Sequence, residues 1–158
     1  MIQKTFITQL RSRASLSWLA LMCIAIVCIW GNSLVPGEGS GGMSLAVVEA
    51  IRRVLASLGL PFDWVTNFIV RKTGHFMEYL LLGVVSFQAF KAHDVSRGAL
   101  VAVVLTCVMT ASIDETIQLL VPGRCGQIVD VLLDCCGAVS GIVLRFASIH
   151  VHVRKETR

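Results

Sequence analysis

A chain of 158 residues that is 55% hydrophobic and only 15% charged, with a mean hydropathy of +0.76, departs from an ordinary water-soluble domain, in which about a quarter of the residues carry charge. The length fits one domain, residues 1–158. The net charge of +4 accompanies no nucleic-acid-binding motif, and the informative quantity is which segments hold the Lys and Arg.

A membrane-spanning helix needs about 20 mainly apolar residues. The first such run is 16–35, the cleanest of the chain. Its length favours a span over a cleaved leader. Pro36 through Gly42 then reads as a flexible glycine-rich tract. After it, Leu45, Val48, Ile51, Val54, Leu55 and Leu58 recur at helical spacing, with Glu49, Arg52, Arg53 and Ser57 between them. This predicts an amphipathic helix over about 44–58, ended by Gly59 and Pro61, lying on the outer membrane surface. Trp64, Val65, Phe68 and Ile69 predict a short interfacial helix within 63–72. Further spans are predicted over about 74–90, 98–121 and 126–146. The expected architecture is all-α: a polytopic bundle of four transmembrane helices plus the outer-surface helix.

With the N-terminus inside, the inner segments hold nine Lys or Arg (Lys4, Arg11, Arg13, Lys91, Arg97, Arg145, Arg154, Lys155, Arg158). The outer ones hold five (Arg52, Arg53, Arg71, Lys72, Arg124). The bias places both termini in the cytoplasm. His93, His150 and His152 fall in or beside cytoplasmic segments and read as solvated. The six cysteines form no Cys-x-x-Cys pair and read as small hydrophobic thiols.

Three of the spans carry ionisable groups. A charge at a helix centre costs about 2.5–3.5 kcal/mol on insertion scales, so these residues need partners. His75, Glu78 and Tyr79 share one face of span two by their i, i+3 and i, i+4 spacing. Asp114, Glu115 and Gln118 form a broad polar sector near the end of span three. Val121-Pro122-Gly123-Arg124 follows, with Pro and Gly suited to the central positions of a type II turn. Asp130, Asp134, Gly137 and Gly141 make one stripe on span four, and Gly-x-x-x-Gly permits close approach of a neighbouring helix. At 1.5 Å per residue, Asp130 lies about 9 Å and Asp134 about 15 Å beyond Arg124. All these groups then fall in the outer half of the bilayer and predict a shared polar pocket.

Three blocks in this order resemble the VanZ-like family of bacterial integral membrane proteins. They are Arg71-Lys72-x-x-His75-x-x-Glu78-Tyr79, Asp114-Glu115-x-x-Gln118-x-x-x-Pro122-Gly123-Arg124, and Asp130-x-x-x-Asp134-x-x-Gly137-x-x-x-Gly141. Asn32-Ser33 is similar to a Ser-containing element of that family. The family often has Asn where this chain has Asp134, which makes the pocket here more acidic. The resemblance implies residence in the bacterial cytoplasmic membrane and a link to glycopeptide antibiotics of the teicoplanin type; it implies no particular reaction.

The leading expectation is an outer-leaflet pocket that binds a cell-envelope headgroup or a lipid-linked cell-wall precursor, or modulates the response to envelope-active compounds. Its ligand-binding residues are Lys72, His75, Tyr79, Asp114, Glu115, Gln118, Arg124, Asp130 and Asp134, with Arg71 and the Arg124 fork as candidate holders of phosphate or carboxylate. The alternative is an intramembrane hydrolase or transferase acting on a lipid-linked substrate. Its acid–base candidates are His75, Glu78, Asp114 and Glu115, and a divalent metal among Glu78, Asp114, Asp130 and Asp134 would assist it. No cofactor is assigned and no metal site is fixed at this level. A proton-coupled transporter is a third reading, weakened because the inner halves of the spans lack ionisable groups.

Overall fold

The computed structural model describes the backbone of residues 2–90 and 96–156 and the side chains within 16–90 and 96–149. The expected inner loop with Lys91 and His93 lies outside the described residues, as do the side chains of Lys4, Arg11, Arg13, His150, His152, Arg154, Lys155 and Arg158. The described chain is all-helical: α1 (Ile2–Ser33), α2 (Gly37–Ser57), α3 (Asn67–Ala89), α4 (Arg97–Leu120) and α5 (Ile128–Glu156).

Two starts are set by side-chain caps. Thr66 accepts a hydrogen bond from the Ile69 amide at 3.3 Å at the head of α3, and Ser96 accepts one from the Ala99 amide at 3.2 Å at the head of α4. Residues 63–66 are therefore not helical. The expected interfacial helix leading into span two begins later than predicted: its helical part, from Asn67, is the first turns of α3, with Val65 ahead of it buried and Trp64 and Phe68 exposed. The expected flexible tract is also corrected, because Gly37 through Gly42 are the first turns of α2. Pro36 stands at the N-cap, where its restricted φ suits a helix entry. The Gly37 amide donates to the Pro122 carbonyl at 3.0 Å, and the two glycines Gly37 and Gly123 meet backbone to backbone. A side chain on Gly37 would collide with the Gly123 carbonyl. Gly37 thus serves close docking, while Gly41 and Gly42 face open space within the helix.

The turn between α4 and α5 forms as the sequence predicts. The Arg124 amide donates to the Val121 carbonyl at 3.2 Å, and Gly123 has φ 74°, the sign that a type II turn demands at that position.

Helix α3 packs on all four other helices, most extensively on α5. The two run parallel, pairing Lys72 with Asp130, His75 with Asp134, Phe76 with Gly137, Leu80 with Gly141 and Phe87 with Phe146. Three glycines make this seam possible. Gly137 lies on the Phe76 carbonyl, Gly141 on the Leu80 carbonyl, and Gly83 on the Ala138 carbonyl, each too close for a Cβ. The expected small-residue approach of span four is thereby located, with α3 as its partner. Helix α1 packs on α3 and α4, and the Trp30 indole donates to the Thr110 carbonyl at 3.2 Å.

Burial is inverted relative to a protein in water. Asp114, Glu115, Gln118, Asp130 and Asp134 are buried, while large apolar side chains on every helix face outward, among them Val27, Leu45, Leu81, Leu105 and Val143. Of the apolar face expected on the amphipathic helix, Leu45, Ile51, Val54 and Leu58 are exposed, Leu55 is half-buried and Val48 is buried. By length and composition, Leu16–Ser33 of α1 and Arg97–Leu120 of α4 are apolar enough to cross a membrane.

Candidate functional site

Alternation of helix direction brings the C-terminal end of α1, the start of α3, the end of α4 and the start of α5 to one end of the bundle. The polar blocks read from the sequence occupy these four places. His75 on α3, Asp114 and Glu115 on α4, and Asp134 on α5 are all buried, and each presents a ligand-type atom within 4.8 Å of the others. His75 Nδ1 lies 3.9 Å from Asp114 Oδ2 and 3.7 Å from Asp134 Oδ1. Both separations exceed a hydrogen bond.

The surrounding groups orient this cluster. Gln118 Nε2 stands 3.3 Å from Asp114 Oδ2, 3.2 Å from Glu115 Oε1 and 3.3 Å from Ser33 Oγ. An amide nitrogen has two protons for these three acceptors. Glu115 Oε2 accepts from the Gln127 amide at 2.8 Å, which ties α4 to the segment entering α5. Gly126 lies against the Glu115 carbonyl, where a side chain would not fit. Asp134 is 0% exposed and neither of its carboxylate oxygens has a hydrogen-bond partner among the described residues. The same holds for Asp114 Oδ1, His75 Nδ1 and the Tyr79 hydroxyl, one turn along α3 from His75.

Two cavities flank His75. One, of about 240 Å³, is lined by Asn32, Arg71, His75, Glu78 and Arg124 together with residues of α2. The other, of about 310 Å³, is lined by Arg71, Lys72, His75, Gln127 and Asp130 with Phe68 and Cys125. Arg71 and His75 line both. Lys72 is ion-paired with Asp130 and stands 5.4 Å from the centre of the Phe68 ring. Arg124 donates from Nε to the Val35 carbonyl at 3.0 Å and from Nη2 to the Asn32 carbonyl at 2.5 Å. Burial holds its guanidinium below its ordinary pKa, and Arg71 adds to that effect; the carboxylates of Asp114, Glu115 and Glu78 pull it back up. Among the described cations lining the cavities, Arg71 makes no hydrogen bond or ion pair within the protein.

The sequence profile of the VanZ/LLP1 family matches residues 17–149, a stretch that contains every residue named in the cluster and both cavities. The chain belongs to the VanZ/LLP1 family. Membership, with the two long apolar helices, makes it a membrane protein. No curated protein and no solved structure shows a match.

In this VanZ/LLP1 chain the residues singled out from the sequence divide into three groups. His75, Asp114, Glu115 and Asp134 converge, with Gln118 bound to two of them. Lys72 with Asp130, and Glu78 with Asn32, are separate pairs, the latter through Asn32 Nδ2 and Glu78 Oε1 at 3.2 Å. Of the four carboxylates considered as holders of a divalent metal, Asp114 and Asp134 belong to the converging set. Glu78 and Asp130 are outside the converging set because each is engaged elsewhere, and His75 and Glu115 take their places. Arg124 spends its fork on backbone carbonyls at the end of α1, which leaves Arg71 as the uncommitted cation. The α1 contribution, Asn32 and Ser33, is signalled in the sequence by a polar pair closing an apolar run and by its resemblance to a Ser-containing element of the family.

Proposed function

We propose that this VanZ/LLP1 protein is a multi-pass protein of the bacterial cytoplasmic membrane that holds an anionic headgroup of a cell-envelope lipid in the outer leaflet. In this reading α1, α3, α4 and α5 cross the bilayer with both termini in the cytoplasm, and α2 rests on the outer surface. The outward apolar side chains on all four long helices support it, since an apolar exterior of this extent suits lipid. Helix α3 carries Arg71, Lys72, His75 and Glu78, and α5 carries Asp130 and Asp134, near the end where they would enter from outside.

The observation that carries the binding role is Arg71, half-buried between two cavities with no hydrogen-bond or ion-pair partner among the described residues. A guanidinium matches phosphate or carboxylate with two parallel hydrogen bonds. The apolar flank of α2 beside the first cavity, with Met43 and Val47, is where an acyl or isoprenyl chain would leave the pocket. The test is titration of the purified full chain, in nanodiscs, with a fluorescent isoprenyl phosphate. Saturable binding is expected, weakened at least tenfold, about 1.4 kcal/mol, in Arg71→Ala at unchanged thermal stability. Absence of saturable binding, or an Arg71→Ala variant that binds like the parent, overturns the reading.

The orientation has its own test. Cys125 is exposed in the turn after α4. A membrane-impermeant maleimide added to intact cells is expected to label it, and the Cys125→Ser variant is expected to lose that label. Labelling only after the cells are opened would place this turn on the cytoplasmic side.

A further inference from the structure

We infer that His75, Asp114, Glu115 and Asp134 form a binding site for one divalent transition-metal ion. The inference rests on the buried cluster alone and is independent of the headgroup reading.

Four donors around one cation at about 2.0–2.2 Å lie roughly 3–4.5 Å from each other. The four ligand atoms here fall within 4.8 Å of one another, and the two His75 separations, 3.7 and 3.9 Å, are too long for hydrogen bonds and suited to ligands sharing an ion. Acidic residues gathered by chance or for helix adhesion normally find donors. Asp134 does not: it is wholly buried, with both oxygens unpartnered, on the face of α5 that meets His75. A carboxylate with no donor, buried against an imidazole nitrogen and one Asp114 oxygen that are also unpartnered, is costly unless a cation or a proton joins them.

The outer contacts are those of a ligand shell. Glu115 is held by the Gln118 side chain and the Gln127 amide, and Asp114 by Gln118 on Oδ2 with Oδ1 left open. Such fixed second contacts set the orientation of metal ligands. His75 lines both cavities and gives the site an entry path. One imidazole with three carboxylates selects Mn²⁺ or Zn²⁺ over Mg²⁺ and Ca²⁺, which prefer all-oxygen shells, and Zn²⁺ binds the tighter of the two.

The experiment uses the full chain in detergent, stripped with chelator and dialysed. Elemental analysis after exposure to Zn²⁺, and electron paramagnetic resonance during titration with Mn²⁺, are expected to give one ion per chain. The ion is expected to raise the melting temperature of the parent protein. Asp134→Asn and His75→Ala are expected to bind at least tenfold more weakly and to lose the ion-dependent rise. A folded parent chain that takes up neither ion overturns the inference and identifies the cluster as carboxylates joined by protons. Asp134→Asn retaining full stoichiometry and affinity overturns it as well. Arg71→Ala is expected to keep the metal while losing the isoprenyl phosphate, so failure of one reading is distinguishable from failure of the other.

Discussion

Gly141→Ala and Gly137→Ala are expected to lower the melting temperature of the detergent-solubilised protein by roughly 10 °C each, the shift that about 3 kcal/mol produces in a chain of this size. The added Cβ meets backbone in both cases, the Leu80 carbonyl at Gly141 and the Phe76 carbonyl at Gly137, so no flexible side chain is available to yield. Overpacking in close-packed interiors costs about 1–3 kcal/mol and sometimes more. Rigid carbonyls on α3 put these positions at the upper end. Gly42→Ala is the matched control: it is also a helical glycine, on α2, with nothing within 4 Å of the new Cβ. There the substitution is expected to be neutral or to stabilise by up to about 1 kcal/mol, through helix propensity. Tryptophan fluorescence during thermal unfolding reads all three variants. Equal behaviour of Gly141→Ala and Gly42→Ala would show that α3 and α5 do not meet along this seam. The chemistry is expected to follow the packing. The register that seats Gly137 and Gly141 on α3 also places Asp134 beside His75, so forcing the helices apart at Gly137 opens the cluster one turn away.

Much of this was legible before any coordinates. Helix periods, the Pro122-Gly123 turn and the small-residue stripe on α5 are local patterns, and the structure realises each of them. The energetic rule that buried charges must find one another gathers Glu78, Asp114, Glu115, Asp130 and Asp134 with His75, and of these His75, Asp114, Glu115 and Asp134 converge. Partner choice within the gathered set was not legible. Sequence spacing assigns Asp130 and Asp134 to one stripe. Which of them meets Lys72 and which meets His75 depends on the parallel register of α3 and α5, and that register is set by glycine contacts between segments some 60 residues apart. The glycine tract that opens α2 departs from its sequence reading for a related reason. Composition alone reads it as flexible, whereas its first glycine is required for backbone contact with Gly123, a residue distant in the chain.

Arg124→Ala is expected to destabilise the protein by about 3 kcal/mol, and so to act differently from Arg71→Ala, although both remove a guanidinium from the same cavity. Arg124 donates to the Val35 carbonyl, just beyond the end of α1, where helix ends leave acceptors without intrahelical donors, and is a second donor, beside the Val35 amide, to the Asn32 carbonyl. Hydrogen bonds from charged groups contribute about 1.5–3 kcal/mol each, and a buried acceptor deprived of its donor costs more than the bond's net worth. The same side chain ties the turn after α4 to α1, and that turn also holds the start of α2 through the Pro122 carbonyl. Its loss is therefore expected to loosen the Asn32–Glu78 pair and the Ser33–Gln118 contact together. Arg124→Lys is expected to recover less than half of the stability, since one ammonium lacks the fork that reaches both carbonyls at once. Thermal unfolding of the three proteins in the same detergent decides the matter. An Arg124→Ala variant as stable as its parent, with isoprenyl phosphate binding abolished, would transfer the anion-holding role from Arg71 to Arg124 and leave the end of α1 capped by other means.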